Sequence, residues 1–475
     1  MDTPHPRTFF DKVWDEHAIT DMGDGTWLLQ VDRLLMHDVT GGVTMRELEA
    51  RPVDSPRQVF GVIDHLLVTW PAQIAAAPEG KRTGWNPMAI QVIDEARAQA
   101  RALGIRLVDV DDARQGITHV IAPEMGMALP GLTIVCGDSH TCTLGGVGAV
   151  GWGIGTSEGT HALATQTITQ TKPKNMRVSF DGTLPAGVTA KDMVLALIHR
   201  IGVGGGSGHA VEFAGSAVRA LPVEARLTLC NMATEFSAKY GFVPADDTTF
   251  AYLQGRSMAP QGADWDRAVA HWRTLATDRG AVFDTEVRID VSSLAPFITW
   301  GTSPQHAAAV DGRVPRPQDQ ADAAGSALAE RALAYQQIEA GTPFADIAID
   351  VAYIGTCTNA RISDLRAAAA VLRGRHVAEH VTAICVPGSA AVKREAEAEG
   401  LDAVFKAAGF EWHEPGCGHC GSGKGRLEDL RIISTSNRNF ENRQGKRVRT
   451  HLASPATVAA SAIAGHIADV RLLHR

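Results

Sequence analysis

The stretch Leu132-Thr133-Ile134-Val135-Cys136-Gly137-Asp138-Ser139-His140 decides how this chain folds. A short apolar run stops at a glycine and gives way to charged and hydroxyl side chains. A run of this length, bounded by a turn signal, reads as a buried strand. A glycine-rich segment (145–159) follows, then a helix predicted over 161–169. The alternation continues on the N-terminal side, with a strand at 28–32, a helix at 88–103 and a strand at 106–110. Towards the C-terminus, 177–180 reads as a strand and 191–200 as a helix. A glycine-dense loop then precedes Val211-Glu212-Phe213. After an excursion rich in Pro, Asp, Gln and Ala (304–343) with one helix, a second series runs strand 347–354, helix 364–372, strand 381–386, helix 391–408, strand 431–434. Such alternation predicts an α/β protein with buried, mostly parallel sheets. The polar Thr171-Lys172-Pro173-Lys174 marks a first boundary, giving segments 1–172, 173–288 and 289–475.

A chain of 475 residues exceeds one hydrophobic core, so several domains are expected. Its net charge of −8 argues against a sequence-independent grip on nucleic acid, which needs a basic face. No apolar run approaches a membrane span, and the first residues lack the apolar core of a signal peptide. Seven unevenly spaced cysteines do not make a disulfide framework. The expected setting is a reducing cytoplasm, with no membrane and no nucleic-acid partner.

Three cysteines stand out. Cys357 lies in Gly355-Thr356-Cys357-Thr358-Asn359, where a strand is expected to run directly into a helix. Cys417 and Cys420 share the loop Pro415-Gly416-Cys417-Gly418-His419-Cys420-Gly421. Three thiolates leave one corner of a cubane iron–sulfur cluster without a protein ligand, and an open iron is a Lewis acid. The same cysteines with His413 or His419 also fit a Cys₃His zinc set. A thioredoxin-like pair fits less well, because the Cys-x-x-Cys does not open a helix. Two phosphate-loop patterns, 146–151 and 418–424, are products of glycine density. The first begins ten residues past its strand, and the second has Gly425 where a hydroxyl should hold magnesium.

Asp64-His65 and Asp138-Ser139-His140 each follow an apolar run. A carboxylate beside an imidazole at a strand end orients it for proton transfer, in the place where open α/β sheets hold ligands. A surface turn is the competing reading of either pair alone. In Ser436-Asn437-Arg438-Asn439-Phe440-Glu441-Asn442-Arg443, planar guanidinium forks with asparagines suit a carboxylate clamp. A solvated basic loop, continuing through Lys446, Arg447 and Arg449, is the alternative there.

Together these segments resemble the aconitase superfamily, most closely its isopropylmalate dehydratase large subunits. The resemblance runs nearly end to end. It is carried by Val31-Asp32-Arg33, Asp64-His65, Cys136-Gly137-Asp138-Ser139-His140-Thr141, Gly153-Ile154-Gly155-Thr156-Ser157-Glu158, Thr228-Leu229-Cys230-Asn231-Met232, Thr299-Trp300-Gly301-Thr302, the cysteine motifs and Ser434-Thr435-Ser436-Asn437-Arg438-Asn439-Phe440. It implies a three-domain α/β/α core with mostly parallel sheets, lacking the family's C-terminal swivel domain. It implies a [4Fe–4S] cluster on Cys357, Cys417 and Cys420 with one open iron, and so favours iron over zinc. Asp64, His65, Asp138 and His140 match the family's acid–base dyads, and Glu212 a carboxylate near the iron. Ser139, Asn437, Arg438 and Arg443 match substrate- and cluster-contacting positions. The implied reaction is loss and re-addition of water on a small 2-hydroxy di-acid. The implied partner is a small subunit whose swivel domain supplies a catalytic Ser and Arg. An RNA-binding iron sensor, as a single-chain relative is, fits poorly with the acidic charge.

Several positions depart from the family pattern. Thr356 replaces serine, and His419 stands in a Cys-Gly-His-Cys-Gly-Ser-Gly run where Cys-Ser-Met-Cys-Leu-Ala-Met is usual. After the first dyad, Leu66-Leu67-Val68-Thr69-Trp70 replaces Asn-x-Ser-Thr-Gln. Val43 stands for a glutamine, Leu144 for a histidine and Asn442 for a glycine. These changes raise a second expectation, that the chain acts on another 2-substituted malate.

Overall fold

The apolar run before Gly137 is the strand Thr133–Cys136, with all four residues buried. In the computed structural model, which describes residues 5–48, 51, 53, 55–77, 82–420 and 427–474, it lies in a five-stranded sheet. The strand order is Arg106–Val108, Val59–Val62, Arg33–His37, Thr133–Cys136, Val150–Gly153, and every neighbouring pair is parallel. From the central Arg33–His37 the chain builds outwards one way through the next two strands. It then returns and builds the other way. The order therefore reverses beside Arg33–His37, where parallel sheets open a crevice at the strands' C-terminal ends.

Two units account for the chain. The first comprises Met1–Leu67, Arg82–Asp181 and Gly206–Ile289, and the second Val68–Lys81, Gly182–Gly205 and Asp290–Arg475. The first also holds a four-stranded sheet in the order Tyr240–Phe242, His209–Ala214, Lys174–Asp181, Thr285–Asp290, and a small antiparallel sheet of Ala18–Gly23, Thr26–Gln30 and Thr167–Thr171. Its core gathers Phe9, Phe10, Leu35, Val135, Trp152 and Phe242.

The second unit repeats the design of the first sheet. Its strands run Phe410–Trp412, Thr382–Cys385, Val351–Ile354, Arg431–Ser434, Arg449–Leu452, all parallel, and the order again reverses beside the central strand Val351–Ile354. Its core includes Ile354, Leu365, Phe405, Ile433 and Val458. Among the described residues, no helix is long and apolar enough to cross a membrane.

Three expectations about local structure are corrected. The helix expected over 161–169 is Thr156–Thr165; Gln166, at φ 55°, ends it, and the β-branched Thr167-Ile168-Thr169 joins the antiparallel sheet. The single helix expected over 391–408 is two, Ala390–Ala398 and Leu401–Ala408, broken at Gly400 with φ 71°. Cys357 does not open a helix. Thr356 turns the backbone at φ 76°, and the next helix, Ile362–Leu372, begins five residues past the cysteine.

Lys191, on the helix Ala190–Ile201, is fully buried, and its ammonium donates to the main-chain carbonyls of Thr435 and Ser436. It therefore fixes the loop that leads to Asn437. Lys191→Met keeps the volume and leaves both carbonyls without this donor. It should cost about 2–4 kcal/mol and lower the midpoint of thermal unfolding by several degrees. An unchanged midpoint would show that the ammonium is not structural.

Candidate active site and cofactor ligands

Three adjacent strands of the first sheet end in polar side chains. His37 ends Arg33–His37 and Asp38 follows it, Asp64 and His65 follow Val59–Val62, and Asp138 follows Thr133–Cys136. Asp64 Oδ1 lies 2.6 Å from His65 Nδ1, and its other oxygen accepts from the Thr118 main-chain N–H (2.8 Å) and hydroxyl (2.9 Å). His65 Nε2 lies 3.3 Å from Asp138 Oδ2. Asp138 Oδ1 accepts from the His140 N–H at 2.6 Å and sits 3.3 Å from its Nδ1, and His140 Nε2 lies 2.8 Å from Glu235 Oε1. The result is a continuous alternation of acid and imidazole, Asp64–His65–Asp138–His140–Glu235. Buried Asp38 accepts from the N–H groups of His65 (3.0 Å) and Leu66 (2.7 Å), fixing the main chain that carries the first dyad.

The electrostatics follow the contacts. Burial alone would raise the Asp64 carboxyl, but the charge and hydrogen bond of His65 outweigh it and bring its pKa down to about 2. Burial opposes ionisation of Asp138 too, and hydrogen bonds with His140 and His65 hold it well below the usual range. Burial works against the His140 cation, yet Asp138 and Glu235 raise its pKa above the ordinary imidazole value. His119, whose Nε2 lies 3.2 Å from the Thr141 hydroxyl, is driven by burial to about 4 and is neutral. The side chain of His65 is 24% exposed and that of His140 is 4%. His65 is therefore the imidazole open to a ligand.

His37, His65 and Asp138 each place a ligand atom within 4.8 Å of the others, a set that could hold a cation. His37 Nδ1, however, accepts from the Val39 N–H at 3.2 Å. The neutral ring then carries its proton on Nε2 and has no lone pair left for a metal. The set is a proton network.

The second sheet presents the thiols in the same manner. Cys357 follows Val351–Ile354, Cys417 and Cys420 follow Phe410–Trp412, and Asn437 and Arg438 follow Arg431–Ser434. Cys357 and Cys417 are buried, and Cys420 is partly exposed. Two of the sulfurs accept hydrogen bonds: Asn437 Nδ2 donates to Cys357 Sγ (3.5 Å) and Arg443 Nη2 to Cys420 Sγ (3.4 Å). Arg443 Nε is buried with no hydrogen-bond partner among the described residues. Tetrahedral zinc, with Zn–S of about 2.3 Å, would draw its sulfurs to roughly 3.8 Å apart. Among the described residues, no potential ligand set within 4.8 Å contains two of these cysteines. His413 is engaged by Glu411 (2.8 Å), and the His419 ring is packed against Trp70 and Tyr353. The donors fit a wider, sulfur-rich group better than a zinc ion. Gly421, Ser422 and Gly423 of the unusual cysteine loop, and the Lys424 and Gly425 of the rejected phosphate-loop pattern, lie outside the described residues.

Ser139 is exposed at the start of the 3₁₀ turn Ser139–Val147, and Arg438 is half-buried beside Asn437. Glu212 is not brought to the histidines. It lies in the strand His209–Ala214 and accepts from the Thr277 hydroxyl at 2.5 Å, which in turn accepts from the Phe9 N–H. The acid that reaches the network is Glu235. Its signal in the sequence was its position three residues past Thr228-Leu229-Cys230-Asn231-Met232.

The family model for the aconitase family (aconitate hydratase) matches residues 11–465. The chain belongs to the aconitase family. One member, the 3-isopropylmalate dehydratase large subunit 1 of Bradyrhizobium diazoefficiens, is 53% identical over 473 residues, covering 99% of this chain and 97% of that protein. Among solved structures, the holo form of aconitase X from Thermococcus kodakaraensis is similar with a TM-score of 0.46 and 13% identity, over 90% of this chain and 86% of that one. The aconitase-family fold is α/β with mostly parallel sheets, as the strand–helix alternation predicts.

Burial pushes the Glu212 carboxyl up to about 7. The folded chain then keeps a proton there between about pH 4.5 and 7 that the unfolded chain releases, so this group's contribution to stability is lost as pH rises through that window. Glu212→Gln stays neutral. Its thermal midpoint should match the parent's below about pH 4.5, exceed it increasingly up to about pH 7, and keep a constant excess above that. A difference independent of pH would contradict this.

Proposed function

We propose that this chain is the large subunit of a 3-isopropylmalate dehydratase, a cytoplasmic hydro-lyase that interconverts 2- and 3-isopropylmalate in leucine biosynthesis. The observation that carries the reading is the joint presence of the Asp64–His65–Asp138–His140–Glu235 network and a three-cysteine set. Both lie in a chain 53% identical over 99% of its length to a relative of that name. The segments 1–172, 173–288 and 289–475 belong to the same reading, as three α/β domains.

Cys357, Cys417 and Cys420 would hold a [4Fe–4S] cluster with one open iron, which supplies Lewis-acid polarisation of a substrate's hydroxyl and carboxylate. The remaining work falls to the side chains. Asp64 anchors His65 at Nδ1, so its Nε2, shared with Asp138, carries the mobile proton. His65 gives that proton to the departing hydroxyl and recovers it when water adds back. His140, clamped between Asp138 and Glu235, keeps Asp138 ionised and ready to stabilise the imidazolium of His65. Ser139 and Arg438 bind the substrate's carboxylates, while Asn437 and Arg443 donate to thiolate sulfur. The C–H proton is taken by a partner small subunit, through a serine beside an arginine on its swivelling domain.

The departures from the family pattern bear on the rival reading, that another 2-substituted malate is the substrate. Leu144 is fully buried in the first unit's apolar core. Asn442 keeps a left-handed backbone, φ 66°, which asparagine tolerates best after glycine. Both substitutions are absorbed by packing or backbone geometry, which favours 3-isopropylmalate.

His65→Asn should lower kcat by roughly 10²–10⁴ in the complex with its small subunit, with little change in KM. Parent-like turnover would remove His65 from the chemistry. Cys357→Ser should abolish full cluster uptake, read as lost visible absorbance after anaerobic reconstitution. Assay of the complex against a panel of 2-alkylmalates tests the substrate. A strong preference for a different alkyl group would overturn the isopropyl assignment.

A further inference from the structure

Two departures from the family pattern, Trp70 and His419, meet in the second unit. Their ring centroids lie 4.9 Å apart at an interplanar angle of 75°, an edge-on contact, and both residues are buried. Trp70 precedes the short helix Pro71–Ala75, and the residue before it, Thr69, accepts at its carbonyl from the Glu414 N–H at 2.9 Å. The Trp70 ring also approaches His413 at 6.2 Å. The segment around Trp70 therefore lies along the entry to the cysteine loop, joined to it by one main-chain hydrogen bond and two ring contacts.

His419 is held on every side. Its N–H donates to the Tyr353 hydroxyl at 3.0 Å, its carbonyl accepts from Gln444 Nε2 at 3.0 Å, and its ring meets the Tyr353 ring edge-on at 5.9 Å. The close approach of Tyr353 requires glycine at 418. The backbone there has φ 51°, and a Cβ would fall 2.2 Å from the tyrosine oxygen. The Cys420 N–H closes the turn onto the Cys417 carbonyl at 3.0 Å. Gly418 and His419, the two residues between the cysteines, are thus fixed by groups outside the loop.

We infer that Trp70 and His419 form an interlocked pair that positions the Cys417–Cys420 turn for its cluster. In this account one change compensates the other: the tryptophan replacing the family's glutamine fills against the histidine replacing its methionine. Trp70 acts on the turn through its ring contact with His419, so it is a positioning residue. The inference rests on the cluster assignment of the proposed function.

The test is retention of the cluster by the full chain. Anaerobically reconstituted parent, Trp70→Gln, His419→Met, the double variant and Trp70→Phe are challenged with a ferrous chelator, and iron release is followed with the decay of visible absorbance. Each single variant should release iron on the order of tenfold faster than the parent. The double variant should release it no faster than either single variant, because the two side chains act as one contact. Trp70→Phe, which keeps a ring edge, should restore most of the retention, separating positioning from a general loss of folding. Parent-like release by both single variants, or multiplied effects in the double variant, would overturn the inference while leaving the cluster assignment intact. A parent chain that takes up no cluster would overturn the assignment itself, and the inference with it.

Discussion

Parallel strands buried in a sheet can send side chains into open space only past their ends, and both five-stranded sheets here reverse their direction of growth beside the central strand. That geometry decides where polar chemistry can be placed. In the first sheet, Arg33–His37 and its two neighbours release His37 and Asp38, Asp64 and His65, and Asp138 at adjoining C-terminal ends. In the second, Val351–Ile354 releases Cys357, and Arg431–Ser434 beside it releases Asn437 and Arg438. Each group of side chains comes from segments distant in sequence. The hydrogen-bond register of the strands brings them together.

Within the first group, charge is managed by alternation. Fully buried Asp64 and, beside it, Asp138 would each resist ionisation if left alone, and His140 would resist protonation. Placed acid against base in one line, each offsets its neighbour's desolvation. The chain can then hold a proton and move it a short way without exposing the whole network. The buried histidines outside the line, His37 and His119, are held neutral, with burial the first cause in each case. They shape the site without adding charge to it.

Much of this was legible in the sequence, for definite reasons. Leu132–Cys136 and the run before Gly355 are apolar over four or five residues and stop at glycine, which a buried strand requires and a helix does not. The second dyad and Cys357 adjoin those stops, so their placement followed from the same signal. What the sequence concealed were partners set by tertiary packing. Glu235 sits in the short 3₁₀ helix Met232–Phe236, too brief for a periodicity to mark it, and its link to His140 spans 95 positions. Glu212, flanked by apolar residues in a clear strand, looked the stronger candidate, but its contacts lead to Thr277. The breaks at Gln166 and Gly400 were likewise hidden, since a single left-handed residue ends a helix without disturbing the surrounding composition.

The way the chain threads its two units has a bearing on biosynthesis. Each is assembled from three separated stretches, and the second needs residues near 70 and near 190 as well as everything past 290. No single cut yields either unit whole. On a ribosome, the cysteine-bearing sheet lacks its last strand, Arg449–Leu452, until nearly all of this sequence has emerged. The sheet that carries Cys357, Cys417 and Cys420 is therefore completed late, separated in time from the folding of the strands that were made first.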